Sequence, residues 1–217
     1  MNLTQRQSDA RAPWAGKLTK EQWDRFLSHN FKHPTRQLSY RLIEKYIMKQ
    51  PEEEMPLTFL EVGFGQCFDF KQCFQKMHDG GIIRYQGWEI IKQFVDYAKE
   101  EYSGYGFRLG GFLDMEKDFD IIYTRHTLEH QLPKEYEQCL VNMLTHTKKL
   151  AVISWFQSPK DIERIYWEVN HGTGRTGAWV NIYDKKKILA MVETAGFNCS
   201  ITKFDLHNEI YFMERKK

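Results

Sequence analysis

Acids, glycines and histidines recur in this chain where short apolar strands run out. Phe59-Leu60-Glu61-Val62-Gly63-Phe64-Gly65 carries one strand into a glycine turn. Glycines there permit a tight turn and a close backbone approach to a ligand just as a helix begins. Trp88-Glu89-Ile90 closes a second strand with an acid in the position that accepts hydrogen bonds from ribose hydroxyls. After a third, Asp114-Met115 offers a carboxylate to an exocyclic amine and a backbone amide to a ring nitrogen, the pair that adenine recognition requires. A lone glycine pair is weak evidence, but Glu61, Gly63, Gly65, Glu89, Ile90, Asp114 and Met115 together outline one nucleotide-like ligand touched by three strand ends. His126 and His130 follow a fourth strand, on the carboxyl-end side where open parallel sheets bind ligands. Either imidazole has the chemistry to accept a hydroxyl proton, and a helix-start or packing histidine is the plainer alternative.

The elements that must position these residues follow from periodicity. Leu57 to Val62 reads as strand one, followed by a helix carrying Phe70, Cys73, Phe74 and Met77. Ile82 to Glu89 reads as strand two, followed by a helix carrying Ile91, Phe94, Val95 and Ala98. Phe107 to Leu113, Phe119 to Thr124 and Leu150 to Phe156 supply strands three to five, the last preceded by a helix through Tyr136, Leu140 and Leu144. Asp184 caps a helix bearing Ile188, Leu189, Val192 and Ala195 that ends at Gly196. Phe197 to Phe204 and Glu209 to Glu214 then form two closing strands, joined by a turn too short for a parallel crossover and therefore antiparallel. Alternating strands and amphipathic helices demand a mostly parallel sheet covered on both faces, hence an α/β fold of seven strands.

Upstream, Thr19 and Gln22 have capping-box spacing before Trp23, Phe26 and Leu27, and Leu38, Leu42, Ile43, Tyr46 and Ile47 mark a second helix. The polar stretch Pro51 to Pro56 ends it, so residues 1–56 read as a helical extension and 57–217 as the main domain. Gly172-Thr173-Gly174-Arg175-Thr176-Gly177 formally matches a dinucleotide fingerprint, but Ile162, Ile165, Tyr166 and Val169 before it have helical spacing and no helix starts after it. It reads instead as a loop, with His171 and Arg175 as contacts for a substrate over which it closes. Trp155, Phe156, Tyr166, Trp167 and Trp179 read as packing, with some available to line an acceptor pocket.

Leu60-Glu61-Val62-Gly63-Phe64-Gly65 resembles motif I of the class I S-adenosylmethionine-dependent methyltransferases, with Glu89 as the ribose acid and Asp114 as the adenine contact. Phe119-Asp120-Ile121-Ile122-Tyr123-Thr124-Arg125-His126-Thr127-Leu128-Glu129-His130 is similar to the fourth strand and following loop of the small-molecule branch of that family. Asn181-Ile182-Tyr183 and the helix ending Thr194-Ala195-Gly196-Phe197 are similar to its late helix. The resemblance covers roughly residues 57–215 and implies a Rossmann-like seven-stranded, mostly parallel sheet with a C-terminal antiparallel strand and an N-terminal helical cap. It implies S-adenosyl-L-methionine as cofactor, with Glu61 near its methionine portion and Thr124 and Arg125 among the binding residues. His130 is the candidate base, and His126 either shares that role or shapes the cofactor pocket. The acceptor implied is the oxygen or nitrogen of a small molecule or glycan. One departure stands out: a third glycine common in motif I is replaced by Cys67, small enough to fit.

Bulk properties narrow the alternatives. With 31 basic and 29 acidic side chains in 217 residues, no broad field favours a polyanion, and neither an Asn-Pro-Pro-Tyr-type motif nor a Pro-Cys pair of RNA methyltransferases is present. An RNA methyltransferase and a catalytically silent binding module are the competing readings. No apolar run approaches the roughly 20 residues that span a bilayer, and the polar start is unlike a signal peptide, which points to a cytoplasmic protein. Cys67, Cys73, Cys139 and Cys199 lack paired spacing and read as reduced core thiols. Methyl transfer from a sulfonium chiefly needs in-line alignment, and Tyr123-Thr124-Arg125 offers no oxygen set for a cation, so no metal is expected.

Overall fold

The computed structural model describes residues 34–131, 135–156, 164–168, 178–204 and 208–217. Helix α1 (Pro34–Ile47) opens on a residue whose fixed φ and missing N–H suit the first helical position. Strand β1 (Leu57–Val62) leads through the glycine turn into a π-helical turn, Phe70–Phe74, continuous with α2 (Gln75–Asp79). Then follow β2 (Ile83–Glu89), α3 (Lys92–Glu101), β3 (Gly106–Leu109), β4 (Phe119–Arg125), α4 (Tyr136–Thr145) and β5 (Thr147–Phe156). A ribbon, β6 (Arg164–Glu168) and β7 (Ala178–Ile182), precedes α5 (Lys185–Thr194), β8 (Phe197–Lys203) and β9 (Asn208–Arg215).

Seven strands form one sheet in the order β3-β2-β1-β4-β5-β9-β8. The first five are parallel, and β9 inserts antiparallel between β5 and β8. The short β8–β9 connection requires this, because a hairpin can join only antiparallel neighbours. Side chains alternate along each strand, so β1 sends Phe59 to one core and Leu60 and Val62 to the other. Ile43 and Ile47 of α1, Phe74 and Met77 of the α2 segment and Phe94, Val95 and Ala98 of α3 fill the first core. Leu140, Met143 and Leu144 of α4 with Ile188 and Val192 of α5 fill the second. Burial on both faces explains why the central strands carry adjacent apolar residues, as in Phe59-Leu60 and Ile121-Ile122, that go to opposite cores. Among the described residues, no helix is long and apolar enough to cross a membrane.

The structure corrects three expectations. Residues 164–168 are strand, not helix: they pair antiparallel with 178–182, Trp167 opposite Trp179 and Tyr166 opposite Val180. Ile, Tyr and Trp favour strands, and the ladder to a partner outweighs apolar spacing that fits a helix over one or two turns. A strand therefore does precede the second glycine pattern, but another strand follows it, so the fingerprint lacks its helix. The loop itself, with His171 and Arg175, lies outside the described residues, as does the helix expected near Thr19. Finally, the third strand stops at Leu109 instead of Leu113: Gly110 and Gly111 break it, and Phe112–Asp114 forms a 3₁₀ turn.

Candidate functional site

The site grows from the carboxyl ends of β1 to β4. Gly63 has φ 76°, and its N–H donates to the Trp88 carbonyl at 2.8 Å, tying the turn to β2. A side chain there is excluded twice, by the left-handed φ and by the Thr127 hydroxyl oxygen, 2.3 Å from where a Cβ would sit. Gly65, at φ 53°, has open space on its Cβ side, and its N–H donates to Glu89 Oε2 at 3.1 Å. Cys67, in place of a third glycine, also adopts φ 61°, a conformation that costs an L-residue roughly 1–2 kcal/mol. Full burial of its thiol in the first core accompanies that cost.

Glu89 joins the strand ends. Its Oε1 accepts from the Ile91 N–H at 3.0 Å, Oε2 from Gly65, and its backbone carbonyl from Gly110 at 3.0 Å. Next along, Asp114 Oδ2 accepts from the Gly111 N–H at 2.8 Å, which closes the 3₁₀ turn, while Oδ1 accepts nothing among the described residues. Ile90 packs against Gly111, where a Cβ would lie 2.9 Å from its Cγ2, and Met115 is buried beneath. Arg108 lays its guanidinium 3.7 Å over the Trp88 ring and donates to the Asp114 carbonyl. Gly65, Glu89, Gly110, Gly111 and Asp114 thus form one hydrogen-bonded rim over three strand ends.

The segment after β4 packs against the same loop. Thr124 is fully buried, its hydroxyl donating to the Val62 carbonyl at 2.9 Å, so it ties β4 to β1 from beneath. Thr127 bridges the Arg125 and Gly63 carbonyls at 3.1 and 3.5 Å. His126 sits at φ 49°, held by its N–H donating to the Ser154 carbonyl of β5 at 2.7 Å. Its Nδ1 lies 2.8 Å from Oε1 of Glu129, a carboxyl with 0% exposure. Burial alone would raise Glu129, but the His126 hydrogen bond and the charges of His126 and His130 hold it below the usual carboxylate range. The carboxylate therefore accepts, and Nδ1–H donates. His130 is half-buried in the 3₁₀ turn Leu128–His130, whose Leu128 carbonyl accepts the Tyr183 hydroxyl at 2.8 Å.

Beneath the loop lies a set of buried charges in which Glu61 and Arg125 were marked by the sequence and their partners Asp69 and Arg36 were not. Asp69 accepts from Arg125 Nε at 2.8 Å and from Arg36 Nε of α1, with all three side chains largely buried. Burial disfavours its charge, yet the two guanidiniums hold it below the usual range. Glu61, 2% exposed, accepts the Tyr85 hydroxyl at 2.6 Å. Burial and neighbouring Asp69 push it up to about 8 against the pull of Tyr85, Arg125 and Arg36. Nothing local marks the Arg36–Asp69 pair, which is 33 residues apart. Glu129 was visible three residues after His126, at a spacing that lets a helical turn bring the two together.

No protein-family profile matches the chain, and no curated protein sequence does. Solved structures do. CalS10, an amino pentose methyltransferase from Micromonospora echinaspora with SAM bound, superposes with a TM-score of 0.67 over 93% of this chain and 99% of its own at 11% identity. The chain has the class I methyltransferase fold. KedS8, a sugar N-methyltransferase from Streptoalloteichus sp. ATCC 53650, matches this fold at a TM-score of 0.65 over 92% and 93% of the two chains, 13% identical. The Burkholderia thailandensis 1,6-didemethyltoxoflavin-N1-methyltransferase, solved with 1,6-didemethyltoxoflavin and S-adenosylhomocysteine, matches at 0.63 over 91% and 88%, 14% identical.

Proposed function

We propose that this chain is an S-adenosyl-L-methionine-dependent methyltransferase acting on an oxygen or nitrogen of a small molecule or glycan. The observation that carries the reading is the rim itself: of the residues chosen from sequence for one nucleoside, Glu89 accepts from Gly65 and Gly110, and Asp114 accepts from Gly111, the next residue in the chain. The donor set fits the group. Glu89 offers carboxylate oxygens to the ribose, Asp114 Oδ1 and the Met115 backbone face the adenine, and Gly65 leaves room for close approach. Glu61 of β1 and Arg125 of β4 would hold the cofactor's remaining methionine portion. The cofactor supplies an electrophilic methyl group on a sulfonium. The protein's part is alignment, with His130 or His126 receiving the acceptor's proton. Glu129 fixes the His126 ring with Nδ1–H engaged. The ligands of CalS10 and the toxoflavin enzyme agree with this assignment.

Isothermal titration with S-adenosylhomocysteine tests the cofactor half. Glu89→Ala, with folding checked by circular dichroism, is expected to weaken binding by tenfold or more, about 1.4 kcal/mol. Unchanged affinity would overturn the placement of the ribose. Conversion of S-adenosylmethionine to S-adenosylhomocysteine with a panel of amino sugars, hydroxylated aromatics and heteroaromatic amines tests the transfer; binding without turnover on any of them would favour a silent module.

A further inference from the structure

Among the described residues, the β6–β7 ribbon is a two-stranded sheet of its own, with no ladder to the seven-stranded sheet. A lone pair of strands is marginal in water, so its arrangement depends on what it packs against. Strand β7 lies against the 3₁₀ turn Leu128–His130, and Tyr183, the residue that follows β7, fastens the two. Its ring is 1% exposed and stacks on Tyr136 at the start of α4, with centroids 3.8 Å apart and planes 18° apart. Trp155 of β5 meets the same ring at 5.5 Å. Held in this way from α4 and β5, the phenol donates its hydroxyl to the Leu128 carbonyl at 2.8 Å. That carbonyl also accepts the Gln131 N–H at 3.1 Å, which closes the turn. Tyr183 is thus a fixed post to which both the turn and the ribbon exit are tied.

A three-residue turn has too few bonds of its own to fix where it sits, so its neighbours decide. On one side, Thr127 fills the space where a Cβ of Gly63 would lie, with its hydroxyl oxygen 2.3 Å and its Cγ2 2.4 Å from that point. On the other, Leu128, the next residue, is held by Tyr183. Two adjacent residues therefore join the glycine turn to the ribbon, and His130 rides on the turn that they begin. Close packing passes a displacement on instead of absorbing it. We propose that Tyr183 is a positioning residue: its hydroxyl registers the ribbon on the turn that carries His130, and through Thr127 and Leu128 the ribbon becomes ordered when a ligand fixes the glycine turn. The cofactor's arrival then completes the acceptor side, which makes the cofactor the first ligand to bind. The inference rests on the cofactor reading above.

Amide hydrogen exchange on the full chain, with and without saturating S-adenosylhomocysteine, tests it. The ligand is expected to slow exchange in residues 63–67 and, by about fivefold or more, in the ribbon segments 164–168 and 178–182. Tyr183→Phe keeps the ring on Tyr136 and leaves the Leu128 carbonyl its Gln131 partner, so the fold and the affinity for S-adenosylhomocysteine should hold. In this variant protection of residues 63–67 should survive, and ligand-dependent protection of the ribbon should vanish. Thr127→Ala cuts the link at its other end and should give the same loss once the protein is saturated with ligand. A merely structural tyrosine would speed exchange equally with and without ligand and leave the difference between the two states intact. That result, or protection of residues 63–67 without protection of the ribbon in the parent protein, would overturn the coupling but spare the cofactor reading. Failure of S-adenosylhomocysteine to bind the parent protein would overturn the two together.

Discussion

His126 is placed by two opposed effects, a left-handed backbone that costs energy and a buried carboxylate that recovers it. Positive φ in a residue bearing a ring survives only where neighbours over-determine it, and here the Ser154 carbonyl and Glu129 do so. Glu129→Gln removes the charge and leaves His126 facing an amide in a fully buried position. A loss of about 3 kcal/mol at pH 7 is expected, the range for breaking a buried pair from one side. The sign with pH is fixed: the folded carboxyl titrates below its ordinary range, so its contribution is present above that range and lost as pH falls through the depressed value. Urea denaturation of both proteins from pH 7 to pH 3 should show the gap closing on acidification; a constant gap would mean packing alone had been lost. At this scale the sequence marked His126, His130 and the rim acids by type and by their place after strands. It could not mark Asp69, Arg36 or Tyr85, whose meaning depends on which side chains the fold brings together beneath the loop.

Strands legible as elements were those buried on both faces. Leu57–Val62 and Phe119–Arg125 are buried at nearly every position, and Phe59-Leu60 and Ile121-Ile122 place adjacent apolar residues on opposite faces, a pattern of a doubly covered strand. The β6–β7 ribbon was misread because five residues with apolar positions near a helical spacing carry little periodicity, and the partner strand lies beyond a glycine-rich loop. The third strand was read four residues too long because Phe112 and Leu113 are apolar and Gly110-Gly111 was not read as a break. Helix α1 shows what composition conceals. A polar, proline-flanked linker follows it, yet Ile43 and Ile47 are fully buried among Leu57, Phe59, Phe74 and Val152, and Tyr40 and Tyr46 meet Phe74 and Phe212 edge to face. Arg36 on the same helix reaches Asp69 below the glycine turn. Ile43→Ala should therefore cost about 2–5 kcal/mol, in one cooperative transition shared with the sheet. Calorimetric unfolding checks it: an unchanged main transition preceded by a small separate one would show that α1 docks without contributing to the core.

The whole molecule distributes its buried acids so that stability leans toward the acid side of neutrality. Asp69 and Glu129 are held below the usual carboxylate range, so their contributions persist until pH drops well into the acid. Glu61 works in the opposite sense, because its folded form titrates at about 8 while its unfolded form titrates near the ordinary value of 4.5. Between those values the unfolded chain gains solvated charge that the folded protein cannot match. The stability present below about pH 4.5 is thus progressively lost up to about 8 and then levels off. A single buried carboxyl beneath the glycine turn consequently shapes the neutral limb of the entire stability curve. Glu61→Gln keeps the volume and an acceptor for the Tyr85 hydroxyl but removes the titration. The two proteins should melt at similar temperatures at pH 5, with the variant pulling ahead as pH rises to 8.5 by on the order of 10 °C, given about 1.4 kcal/mol per pKa unit and roughly 2–4 °C per kcal/mol in a chain of this size. Differential scanning calorimetry at half-unit pH steps without ligand decides it: parallel curves for variant and parent across pH 5 to 8.5 would show that Glu61 ionises in the folded protein as readily as in the unfolded one.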